Sequence, residues 1–144
     1  MKIKQPLAIV LAVSALFFSA CNYFNDDKSR AEKVVENYHR LYNEQNYEEI
    51  FNSANEDAKA TKSKEGLGLA LAQSFEKLGK HQSSKLIFSK VTILNTKERQ
   101  VDFAYKSKFE KGEVNETFLI IVNDQKAALY SIDKLTDEEL EKLK

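Results

Sequence analysis

The chain has 144 residues, 42% of them apolar, which suits one globular domain and is too little for a multidomain enzyme. Its 22 Lys and Arg residues are matched by 22 Asp and Glu, so no excess positive charge is available to neutralise phosphates, and a nucleic-acid binder is excluded. The single Met, Pro and Cys (Met1, Pro6 and Cys21) all lie in the first 21 positions, so the start of the chain differs in kind from the rest.

Lys2 and Lys4 precede an apolar run from Leu7 to Phe18, and the small residues Ser19 and Ala20 come just before Cys21. A basic region, an apolar region and a small-residue cleavage site make a secretory signal peptide over residues 1–20. About a dozen apolar residues at ~1.5 Å each reach ~18 Å, short of a ~30 Å hydrocarbon core, so a permanent transmembrane helix is the weaker reading. Cleavage would remove two lysines and no acid, leaving the mature chain slightly acidic.

Phe18-Ser19-Ala20-Cys21 resembles the lipobox of bacterial lipoproteins, with Phe18 where that family usually carries an aliphatic residue. The resemblance implies that Cys21 is the lipid attachment site and the mature N-terminus, anchored in the membrane of the cell envelope by several acyl chains, palmitate among them. Asn22, in place of an Asp, implies the periplasmic leaflet of the outer membrane in a Gram-negative cell. A lone cysteine in an exported chain has no disulfide partner, which suits an attachment point. The competing reading is an ordinary secretory signal followed by a coincidental cysteine.

Residues 21–28 are expected to be the lipidated cysteine and a short polar tether, with Tyr23 and Phe24 at headgroup level. Ser29 and Glu32 have the spacing of a capping box, and Ala31, Val34, Val35, Tyr38, Leu41 and Tyr42 recur at helical spacing behind it. Asn46 and Glu49 repeat the cap ahead of Tyr47, Ile50, Phe51 and Ala54. A polar stretch from Asn55 to Lys64 is expected to be exposed. Leu67, Ala70, Leu71, Phe75 and Leu78 then mark a third helix that stops at Gly79.

Beyond His81 the period changes to two. Strands are predicted over Lys85 to Leu94, Arg99 to Phe109, Val114 to Val122 and Lys126 to Leu135, with turns at Glu110 to Glu113 and Asn123 to Gln125. In the second strand Val101, Phe103, Tyr105 and Phe109 share one face, and Gln100, Asp102, Lys106 and Lys108 the other. Thr136 and Glu139 cap a brief terminal helix over residues 136–144. Helices followed by an antiparallel meander make an α+β domain over residues 29–135, with helices on one face of a curved sheet of about four strands. This order of elements resembles the NTF2-like (cystatin-like) roll, particularly that of small bacterial lipoproteins. In that family the space between the first helix and the concave sheet often holds a ligand or an active site.

Phe118 to Val122 are five consecutive apolar residues, which load both faces of one strand. The face carrying Leu119 and Ile121 must be covered by the terminal helix, by the sheet's own curvature or by a second subunit in a homodimer.

Signals for chemistry are sparse. His39 and His81 form no metal cluster of recognised spacing, and no metal or cofactor is expected. One helical step turns His39 ~100° from Tyr38, so it reads as solvated; His81 lies in a loop with no partner signal. Gly66-Leu67-Gly68 lacks the strand and third glycine of a phosphate loop, and the Asn115-Glu116-Thr117 sequon falls in a predicted strand. Asp102 points away from the core face, whereas Glu116 shares its face with Val114, Phe118 and Ile120, which makes it the one credible inward acid. Tyr38, Tyr42, Phe103, Tyr105 and Phe118 form either a packed core or the lining of a ligand pocket.

Three functional readings follow. The first is a non-enzymatic, lipid-anchored envelope protein that binds a small ligand or a protein partner. The second is a cavity isomerase or hydrolase using Glu116 with Tyr38 or Tyr42. The third is an inhibitor or immunity-type protein that binds its partner through the sheet.

Overall fold

The structure is a computed structural model that describes the backbone of residues 7–143 and the side chains of residues 24–143. The side chain of Cys21, and with it the lipid-attachment expectation, lies outside the described residues, as do those of the leader and of Tyr23.

Helix α1 runs unbroken from Leu7 to Asn43. No Gly or Pro interrupts these residues, so no backbone signal stops the helix before Asn43. The expected tether over residues 21–28 and helix start at Ser29 are therefore corrected: Ser29 lies inside the helix, and the apolar stripe of Ala31, Val35, Tyr38 and Tyr42 extends back to a buried Asp27.

Three shorter helices follow, α2 (Tyr47–Ser53), α3 (Glu56–Thr61) and α4 (Lys64–Leu78). Their starts are set by side-chain caps: Asn46 accepts from the Glu49 N–H, Asn55 from that of Asp57, and Ser63 from that of Gly66. The stretch from Asn55 to Lys64 is mostly exposed, as expected; the Asn55 cap adds a short helix, α3, that turns Ala58 inward. Helix α4 ends at Gly79, whose φ of 73° suits glycine. A Cβ there would also come within 2.5 Å of the Glu110 carboxylate, which accepts the Lys80 N–H.

Strands β1 (His81–Ile93), β2 (Glu98–Phe109), β3 (Gly112–Asn123) and β4 (Ala127–Leu135) form one antiparallel sheet in chain order. The pairing of β1 with β2 shifts register twice, between His81 and Ser83 and between Leu86 and Phe88. The α+β class and the four-strand meander are as expected, and α5 (Asp137–Glu141) carries the predicted Thr136–Glu139 capping box.

Val101, Phe103, Tyr105 and Phe109 of β2 and Phe118, Ile120 and Val122 of β3 face the buried stripe of α1 and make one core. On the opposite face Leu119 and Ile121 are half-buried, and α5 lays Leu140 against the end of the sheet. The aromatic set Tyr38, Tyr42, Phe103, Tyr105 and Phe118 is buried throughout, with edge-on contacts of Tyr38 and Tyr105 to Phe118 at 5.4 and 5.9 Å between ring centroids. These rings pack on one another in the core, and Tyr38 and Tyr105 also reach the floors of open grooves on either flank of α1.

The buried histidine–glutamate site

Alternation along β3 turns Glu116 inward, where it is 1% exposed and sits between Tyr105 of β2 and Lys134 of β4 in the register. Its Oε2 lies 2.9 Å from His39 Nε2, and the Ser107 hydroxyl donates to the same carboxylate. His39 is 6% exposed, which corrects the expectation of a solvated ring. The single step from Tyr38 is the wrong reference: His39 lies four residues after Val35 and three before Tyr42, both buried, so it continues the flank of a wide stripe.

Asn43, the last residue of α1, brings His81 onto this pair. Its side-chain amide donates to the His81 carbonyl at 2.9 Å and accepts the His81 N–H at 2.8 Å. The His81 ring then stacks on His39, with centroids 3.7 Å apart and planes 5° from parallel. His81 Nε2 lies 2.7 Å from Ser84 Oγ, and Ser84 Oγ lies 2.8 Å from Ser107 Oγ. The contacts close into a ring from His39 through Glu116, Ser107, Ser84 and His81 back to His39. His81, read as partnerless, is therefore one of its members. Ser84 and Ser107 were missed in the sequence; they are opposite residues of the β1–β2 register, 23 positions apart.

The electrostatics follow from this closure. Burial pushes the Glu116 carboxyl up, but the His39 hydrogen bond and charge, the Ser107 hydroxyl and the His81 charge outweigh it and leave it below its usual value. Burial, helped by the charge of His39, lowers His81 to about 4, so its ring is neutral at pH 7. Burial also raises Tyr105 to about 12, aided by Glu32 and Glu36, and holds Tyr38 well above its ordinary value beside Glu116. The tyrosines stay protonated and Glu116 stays ionised.

A groove of about 570 Å³ opens over the two histidines, edged by Glu32, Glu36, Arg40, Gln82 and Ser84. On the other flank of α1 a groove of about 360 Å³ has Arg30, Lys33 and Lys126 at its rim. The first reaches the buried polar ring; the second ends on the apolar side chains of Val34, Leu41, Ile50 and Leu129. Among the described residues no cluster of three His, Cys, Asp or Glu side chains is placed to hold a metal ion.

Of the sequence candidates, Glu116 is brought to the site, with Tyr38 against its His39 partner and Tyr105 at the groove wall. Phe118 packs edge-on to His39 at 5.5 Å. Tyr42 faces away toward Ser74, 3.5 Å from its hydroxyl, and Phe103 lies deeper in the core against Tyr105. No protein-family model matches the chain and no curated protein is significantly similar to it, so the site is read from its own geometry.

Proposed function

We propose that this is a lipid-anchored bacterial envelope protein, held by acyl chains on Cys21 in the periplasmic leaflet of a Gram-negative outer membrane. Its domain is an NTF2-like roll that binds a small polar ligand or a protein partner in the groove over His39 and His81, without turnover. The observation that carries this reading is the closed ring of contacts around Glu116. The carboxylate is committed to His39 and Ser107, and its pKa is lowered, which is opposite to the shift that makes a general acid. The aromatic set is packed, so the accessible polar surface is the groove wall and not an internal cavity.

Two measurements test it. Metabolic labelling with a fatty acid should tag the wild-type chain and leave the Cys21→Ala chain unlabelled; equal labelling of both removes the anchor. Histidine ring signals followed by NMR should shift on adding the low-molecular-weight fraction of an envelope extract, with the added compounds unchanged. Loss of a compound that depends on Glu116 would instead establish the cavity-enzyme reading.

A further inference from the structure

We infer that the turn between β1 and β2 is a second, noncovalent contact with the bilayer, formed by Ile93 and Leu94. This rests on the lipid-anchor reading of Cys21. The topology brings three features to one end of the domain: the first turns of α1 with described side chains, the β1–β2 turn and the β3–β4 turn. Arg99 ties them together, since its guanidinium binds Asp27 of α1 at 2.8 Å, the Lys97 carbonyl at 3.3 Å and Asp124 at 3.3 Å. The opposite end holds Asn43 and His81.

Three of the seven large apolar side chains that are exposed among the described residues gather at the Arg99 end. Ile93 is 65% exposed, Leu94 47% and Phe24 38%. The turn presenting the first two is well held: the Leu94 and Asn95 N–H groups donate to the Glu98 carbonyl, and Asn95 Oδ1 accepts from the Lys97 and Glu98 N–H groups. The apolar pair is therefore displayed by a firm turn, with Lys97 beside it.

The occupant follows from where the chain comes from. Asp27 is six residues beyond Cys21, which is ~9 Å along a continuous helix. A lipid on Cys21 thus places the bilayer against the end that carries Ile93 and Leu94, with no long linker to hold the domain away. Apolar side chains on a rigid turn at that level would enter the headgroup and acyl boundary.

The chain contains no Trp, so one introduced tryptophan reports its own surroundings. The full-length lipidated chain carrying Leu94→Trp, or Leu69→Trp on α4 as an equally apolar but remote site 63% exposed, is reconstituted into phosphatidylethanolamine–phosphatidylglycerol vesicles containing brominated lipid. Quenching about twofold or more stronger at Leu94→Trp, with blue-shifted emission, is the expected result. Equal quenching in chains that float with the vesicles overturns the contact and leaves the anchor standing. Chains that stay in the soluble fraction overturn both.

Discussion

The same helix is fastened to the same sheet by two buried acid–base pairs, one near each end of the domain. Asp27 and Arg99 meet through two bonds of 2.8 Å; His39 and Glu116 meet 12 residues later along α1, or ~18 Å, through one of 2.9 Å. The first uses a guanidinium that keeps its proton at any working pH and matches the carboxylate in a two-pronged geometry. The second uses an imidazole, continues through two serines to another imidazole, and borders a groove. A two-pronged guanidinium clamp holds the helix at one end. A single imidazole bond holds it at the other, continues into a chain of polar contacts and borders a groove.

The largest expected effect breaks the guanidinium end. Arg99→Met leaves the Asp27 carboxylate buried without its main partner and should cost about 3–5 kcal/mol in urea unfolding, whereas Asp27→Leu with Arg99→Met should recover most of that loss. A double variant as unstable as the single would mean that the pair stabilises beyond its own desolvation.

At the imidazole end Glu116→Gln keeps the shape but removes the charge from the bonds with His39 and Ser107, and should cost about 1.5–3 kcal/mol at pH 7. A loss below that of a surface pair such as Arg40–Glu44 would contradict the central place given to Glu116.

The smallest effect at neutral pH is that of His81→Phe, which keeps the stack and should change stability by under about 1 kcal/mol. Its signature lies in acid. The folded-state pKa of His81 is about 4 against an ordinary 6.5, so the unfolded chain takes up the proton first. Stability is full above pH 6.5 and falls as pH drops toward 4; the lowered Glu116 carboxyl acts in the same direction below that window. His81→Phe should flatten the decline between pH 6.5 and 4, and an unchanged slope in denaturant midpoints would break the contrast between the two ends.

Much of the architecture was legible because it is local. Alternation marked the strands, the caps at Asn46 and Thr136 were visible as spaced side chains, and the phase of Val114, Phe118 and Ile120 placed Glu116 inward. The partners were not legible. His39 and Glu116 are 77 positions apart and Asp27 and Arg99 are 72, and no local period encodes a contact of that span. His39 could have been found by testing its phase against Val35 and Tyr42 together. Asp27 was masked by its company, since Asn25, Asp26 and Lys28 make residues 21–28 look like a tether although nothing there ends a helix.

Strand β1 carries one further consequence. It is 13 residues long and lies at the border of the sheet, with a row of backbone groups that another chain could pair with. Its two register shifts twist that border, and the exposed Lys85 and Lys90 set like charges along it, so two copies brought side by side would meet misaligned amides and repelling ammonium groups. The irregularity of β1 thus protects the protein against edge-to-edge fibril growth.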